Sequence, residues 1–394
     1  MSDSVAVVWD DALLGYTMGG DHPMHPVRLD LTVRLADSLG VLDRPRLQVL
    51  RPTPAEVEQL TLVHDPAYLD AVRQAPADPL GVGHGLGTAD NPVFDGMYDA
   101  AALITGGSLL AAQQVHAGTA QHAINIAGGL HHAMRASASG FCVFNDAAVA
   151  IAWLLRQGYE RIAYVDLDVH HGDGVQAAFW DDPRVLTVSV HQTPLTLFPG
   201  TGYPEETGDP ERASGSAVNL ALPNGTDDSG WLRAFTAVVP SVVRAFAPQI
   251  LVTQCGCDAH HEDPLADLAL TVDGQRASYR AVHELAHEVC DGRWIALGGG
   301  GYGLVRCVPR AWTHLIAEAS GDPIRPETEI PASWREDVRR RGLRAEAPHT
   351  MTEGGYVGFT RWDPFTESRV DRAITRTRTA CFPYFGLDPD DPRD

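Results

Sequence analysis

The segment Tyr164–Val175 reads YVDLDVHHGDGV and sets carboxylates and imidazoles directly behind an apolar run. Ile162 to Val165 has the β-branched and aromatic character of a buried strand. Side chains alternate along an extended chain, so Asp166, Asp168 and His170 point to one side, with Asp173 following on a glycine-flanked turn. Aspartate and histidine are ligand types for zinc and similar ions. A solvated acidic turn is the competing reading, but it has no need to alternate acids with Leu167 and Val169.

Other polar clusters also follow strand-like runs. Gly128-Gly129-Leu130-His131-His132 comes after the run ending near Ile126, and His191 and Phe198-Pro199-Gly200-Thr201-Gly202 come after the run ending near Val190. Gln254-Cys255-Gly256-Cys257-Asp258 follows Ile250–Thr253, and four glycines and Tyr302 follow Leu297. A metal held by Asp168, His170 and Asp258 keeps a position open for water, as hydrolytic metals require. Two oxygen ligands out of three make such a site hard enough for zinc or ferrous iron. His131 and His132 beside it supply a proton acceptor and donor near neutral pH, and Asp166 and Asp173 are carboxylates available to orient them. The Tyr302 hydroxyl is suited to polarising a carbonyl. A phosphate loop at GGGGYG is disfavoured, since the run lacks the spacing and context of either nucleotide fingerprint.

The elements that must position these residues alternate along the chain. Strands are expected at Val5–Val8, Ala123–Ile126, Ile162–Val165, Val185–Val190, Ala217–Leu220, Ile250–Thr253 and Trp294–Leu297. Helical spacing marks Asp99–Val115, Ala147–Arg156, Gly230–Phe246 and Arg276–Val289. This pattern predicts an α/β fold with a parallel sheet covered on both faces, and sites at the carboxyl ends of its strands. One catalytic domain is expected over residues 1–320. The extension 321–394 carries no usable motif, but Trp334, Tyr356, Trp362 and Tyr384 predict that it packs on the domain or on a partner.

Composition narrows the partners. The 394-residue chain has a net charge of −21, with 30 basic against 51 acidic residues, which opposes nonspecific binding to nucleic acid or anionic membrane. Every basic residue is arginine, so a Schiff-base lysine and a phosphate-loop lysine are both excluded. Six scattered cysteines give no disulfide framework, and Cys255 with Cys257 is read as a buried thiol pair. With no signal sequence or membrane-spanning run evident, a reduced, cytoplasmic protein is expected.

The motifs GGLHHAM (128–134), GFCVFND (140–146), YVDLDVHHGDGV (164–175), FPGTG (198–202) and LGGGGYG (297–303), with DHPMHPVR (21–28), resemble those of the histone deacetylase superfamily. GDHPMHP and QCGCDAHHEDPLADL are most similar to its bacterial acetoin-utilisation, AcuC-type branch. The likeness runs over roughly residues 5–320. It implies an arginase-like α/β fold, a single domain with a central eight-stranded parallel sheet and helices on both faces. It also implies a zinc- or iron-dependent hydrolase acting on acetyl-lysine in proteins, with an acyl-CoA synthetase as a target.

By that resemblance Asp168, His170 and Asp258 are the metal ligands and Tyr302 polarises the carbonyl. His132 is the general base oriented by Asp173, and His131 with Asp166 is its electrostatic partner. Phe141 and Phe198 wall a tunnel for the acyl-lysine stem, Gly140 offers a carbonyl to the substrate amide, and Gly300 leaves room for the acyl tip. Asp90 resembles a rim aspartate that holds the substrate backbone, and Arg28 resembles an arginine near an internal acetate channel. Potassium is implied beside Asp166, Asp168, His170 and Ser189. After Asp258 the sequence departs from the eukaryotic pattern, and His260 and His261 are read as a solvated rim. The alternatives are an acetylpolyamine or other small-molecule amidohydrolase of the superfamily and a metal-free binding protein on the same fold. An arginase-type dinuclear manganese site lacks its extra acids.

Overall fold

A computed structural model describes residues 4–79, 82–355 and 357–394 of the chain. Eight strands form one sheet: β1 (Val5–Val8), β2 (Leu47–Leu50), β3 (His122–Asn125), β4 (Ile162–Asp166), β5 (Val185–Gln192), β6 (Ala217–Leu222), β7 (Ile250–Gln254) and β8 (Trp294–Leu297). Their order is β2-β1-β3-β8-β7-β4-β5-β6, and every pairing is parallel. The expected α/β architecture with a central eight-stranded parallel sheet is therefore present.

Eleven α-helices are described: α1 (Val27–Ser38), α2 (Val57–Leu60), α3 (Pro66–Gln74), α4 (Met97–His116), α5 (Asp146–Arg156), α6 (Asp173–Ala178), α7 (Asp228–Phe246), α8 (Val272–Cys290), α9 (Val308–Ala319), α10 (Ala332–Arg340) and α11 (Arg369–Cys381). Strand residues alternate between two apolar layers. Ile162 and Tyr164 join Ala148, Ile151 and Leu154 of α5 on one face, while Ala163 and Val165 join Val238 and Val242 of α7 and Val282 of α8 on the other. Fully burying each such Val or Leu contributes about 1.5–3 kcal/mol, so the two-sided burial of β4 fixes its register and the direction of the acids that follow.

Strand β2 escaped the sequence reading. It lies at the sheet edge, its two middle residues are exposed, and the alternation LQVL is too short and too polar to read as buried. Helix α8 begins at Val272, four residues before the periodic pattern suggested, because the Thr271 side chain accepts from the Gly274 N–H and caps it.

The extension shares the core. Trp334 on α10 is buried and donates its indole N–H to the Leu31 carbonyl at 2.9 Å. Helix α11 packs on α7 and β6, with Ile374 and Phe382 buried and the Thr377 hydroxyl donating to the Asn219 carbonyl at 2.8 Å. Trp362 is buried against the Arg378 guanidinium, and Tyr384, 55% exposed, lies against Gly215. Tyr356 lies outside the described residues.

Candidate active site

The loops after β3, β4, β5, β7 and β8 converge at the carboxyl edge of the sheet. Immediately beyond β4 the Asp168 carboxylate faces the His170 ring, with Oδ1 at 3.1 Å from Nδ1. Asp258, from the loop after β7, approaches the same nitrogen through Oδ2 at 3.2 Å. Spacing alone left Asp166, Asp168 and His170 equivalent. In the fold Asp166 ends the strand and turns to a histidine, and Asp258 completes the three-donor cradle.

Each carboxylate is fixed from behind. Asp168 Oδ2 accepts from Gln254 Nε2 at 2.6 Å and from the Gly300 N–H at 2.8 Å, and Asp258 Oδ1 accepts from the Val169 N–H at 2.9 Å. Both acids are fully buried, and burial together with the Asp168 charge raises the Asp258 carboxyl to about 6. Two adjacent interior carboxylates with an imidazole nitrogen between them fit a divalent cation, which would cancel their mutual repulsion. The oxygen-rich set suits zinc or ferrous iron.

His131 and His132 stand beside the cradle with their Nε2 atoms 3.1 Å apart. His131 Nδ1 lies 2.7 Å from Asp166 Oδ2, and His132 Nδ1 lies 2.6 Å from Asp173 Oδ1. The two adjacent rings differ electrostatically. Burial opposes charge on His131, but Asp166 and Asp168 outweigh it and raise its pKa to about 9. Burial and the neighbouring His131 lower His132 to about 4 despite Asp173. The two adjacent rings disfavour a second positive charge, and a neutral His132 that donates through Nδ1 to Asp173 keeps a lone pair on Nε2.

Two aromatic residues named from the sequence lie next to these groups. Phe198 packs edge-on to His132 at 5.0 Å and is 43% exposed, and Phe141 packs edge-on to Tyr302 at 5.7 Å. Gly140 has φ +50°, and a Cβ there would fall 2.4 Å from the His132 ring and 2.9 Å from Phe198, so only glycine keeps this wall. A Cβ on Gly300 would fall 2.0 Å from Asp258 Oδ2. Burial holds the Tyr302 hydroxyl well above its usual range, so it remains a donor. Asp90 is exposed, with its backbone beside His22, and His22 in turn packs on Phe141 at 4.6 Å. Ser189 pairs in register with Asp166 on β5. Arg28 is buried and donates to the Gly299 carbonyl at 2.7 Å and the Gly301 carbonyl at 3.3 Å, which clamps the glycine run that carries Tyr302.

Several supports were not singled out from the sequence. Asp146 accepts from the Gly129 and Leu130 N–H groups at 2.9 and 2.7 Å and so sets the entry to the histidine pair. His64 accepts from the Asn145 N–H at 2.9 Å, and Asn145 in turn donates to the His131 and Ala133 carbonyls. The Tyr164 hydroxyl donates to Asp166 at 2.6 Å. Asp263 accepts from the Tyr302 N–H at 2.7 Å and is raised to about 8, first by burial and then by Asp258.

The expectation of a solvated rim at 260–261 is corrected for one of the two residues. His260 is fully buried, with Nε2 3.5 Å from Glu353 of the extension, while the His261 side chain is 41% exposed. Glu353 also pairs with the buried Arg310, and neither partner could be read from the polarity of the 259–263 segment.

The histone deacetylase domain model matches residues 22–319. The acetoin utilization protein AcuC of Bacillus subtilis (strain 168) is 42% identical over 338 residues, 85% of this chain and 86% of that protein. Proteins of the same name from Staphylococcus aureus (strain MRSA252) and Staphylococcus xylosus are 35% and 34% identical, over 84% and 85% of this chain and 85% and 87% of theirs. With a matching domain over most of its length and such relatives along the same span, the chain belongs to the histone deacetylase family, in its AcuC-type branch.

Proposed function

We propose that the protein hydrolyses the acetyl amide of Nε-acetyl-lysine in cytoplasmic proteins, an acyl-CoA synthetase among them, and releases acetate. The observation that carries this reading is the Asp168–His170–Asp258 cradle beside the His131–His132 pair, with Phe198 edge-on to His132 and Phe141 edge-on to Tyr302. A long alkyl stem needs an apolar aromatic slot, and only its tip needs polar chemistry.

Zinc or ferrous iron held by Asp168, His170 and Asp258 would polarise the acetyl carbonyl and acidify a water. His132, neutral and fixed through Nδ1 on Asp173, takes a proton from the attacking water at Nε2. Tyr302 donates its hydroxyl to the oxygen on which negative charge develops. The new C–O bond forms, the amide C–N bond breaks, and the departing lysine amine collects a proton from the histidine pair. His131, kept cationic by Asp166, favours the negative charge as it builds. Potassium bound near Asp166, Asp168, His170 and Ser189 would steady the loop that follows β4.

The test is an activity panel on metal-restored protein, comparing an acetyl-lysine peptide, longer acyl-lysines and N-acetylputrescine. Hydrolysis of the acetyl-lysine peptide is expected to dominate. Activity confined to N-acetylputrescine would reassign the protein as an acetylpolyamine amidohydrolase.

A further inference from the structure

At the opposite edge of the sheet three histidines meet. His122 opens β3 and is fully buried, and His283 and His287 lie one turn apart on α8. His283 Nε2 stands 3.1 Å from His122 Nε2 and 3.1 Å from His287 Nε2. The rings are mutually edge-on, at centroid distances of 4.8, 5.1 and 4.9 Å. Trp294, the first residue of β8 and the register partner of His122, floors the group, with His283 stacked on it at 5.5 Å.

We propose that His122, His283 and His287 form a second cation site, a structural one for zinc or a like borderline divalent ion, separate from the carboxyl-edge cradle. Four observations support it. Tetrahedral zinc with Zn–N bonds of about 2.0–2.1 Å needs ligand nitrogens roughly 3.3 Å apart, so the two 3.1 Å pairs need to open only slightly. Each such pair can share at most one proton, and His283 Nε2 belongs to both pairs, whereas one cation uses a lone pair from all three rings. Nitrogen-only ligands select zinc, nickel or copper over magnesium or calcium. The position is also electrostatically apt, because His287 lies in the last turn of α8, where the helix dipole favours positive charge.

The ligands are held in place independently of the ion. Gly292 has φ +76°, and a Cβ there would fall 2.8 Å from the His287 ring, so the turn after α8 runs close against that ring and leaves it no room for a bulkier residue. Burial falls from His122 through His283 to His287, so the fourth position faces solvent and takes a water. The four-residue β3 separates the cluster from the catalytic loops by about 10 Å. The ion braces α8 against the amino ends of β3 and β8.

The decisive experiment counts zinc on full-length protein that has been stripped with chelator, reloaded and desalted, and reads the thermal midpoint alongside. Asp258→Asn empties the carboxyl-edge site and isolates the second one. Two equivalents are expected for the wild type, one for Asp258→Asn, one for His283→Gln/His287→Gln, and none for the three changes together. Zinc should raise the midpoint of Asp258→Asn protein but not that of the combined variant. A His283→Gln/His287→Gln protein that binds as much zinc as wild type overturns the proposal, as does Asp258→Asn protein with no zinc and no thermal response. If the double variant fails to fold in chelator, the exposed His287→Ala change alone must weaken zinc binding in the Asp258→Asn background. Unchanged binding there overturns the proposal equally. Failure of the deacetylase reading would appear in the activity panel and leave these counts untouched.

Discussion

The two edges of the sheet carry polar clusters of different construction. At the carboxyl edge the donors are mostly carboxylate oxygens, fully buried and each fixed by a backbone N–H or by Gln254. At the amino edge all donors are ring nitrogens, the three rings pack edge-on against one another, and Trp294 contacts His122 and His283. Charge buried and oriented before a substrate arrives is what a catalytic site needs, because reorganisation at the moment of reaction is then avoided. A graded, half-exposed nitrogen cluster has no such preorganised charge and serves to hold elements together.

The sharpest way to break this contrast is to remove one fixed charge from the carboxyl edge. Asp258→Asn keeps the shape but removes a ligand charge, and kcat should fall by roughly 10³-fold or more, with one zinc equivalent lost. Hydrolysis within tenfold of wild type would place the catalytic ion elsewhere. Tyr302→Phe removes a donor without touching the cradle. Turnover should drop by roughly 10²-fold while zinc content and thermal midpoint stay put, and a change in zinc content instead would make Tyr302 a support of the cradle. Gly300→Ala tests the close approach, since its Cβ would fall 2.0 Å from Asp258 Oδ2. Zinc affinity measured with a competing chelator should weaken by roughly 10- to 100-fold, as for other displaced ligand supports. An unchanged affinity would mean that the loop after β8 yields freely.

The contrast also explains what the sequence disclosed. The cradle and histidine pair were legible because their residues follow apolar runs directly, so strand alternation and motif order both reach them. The supports were not. Gln254 reads as one more polar residue until β7 and β4 lie side by side, and Asp146 and His64 act on loops 16 or more positions away. His260 was misjudged because local polarity suggests solvent, whereas its partner Glu353 arrives from the extension. The amino-edge cluster was missed for the same reason: His283 and His287 show a helical spacing, but His122 joins them only through the β3–β8 pairing. Side chains that act across the fold carry no mark in their own neighbourhood.

Acid should soften the carboxyl edge through one such support. Burial lowers His64 to about 4, and its Nε2 accepts the Asn145 N–H while Nδ1 donates to the Met134 carbonyl at 3.1 Å. Protonating Nε2 would set one N–H against another at the base of the histidine loop. The folded-state pKa lies below the unfolded value of about 6.5, so the unfolded chain binds the proton first. Stability is thus intact above pH 6.5 and declines as pH falls toward 4. The loss at pH 4 is about 3 kcal/mol from this residue, at about 1.4 kcal/mol per unit. Urea unfolding between pH 7.5 and 4.5 should show the decline, with hydrogen exchange over residues 128–145 accelerating before that of β4. His64→Gln should be less stable at neutral pH but flatter with pH by one proton. A slope equal to wild type would show that His64 is not the residue through which acid acts.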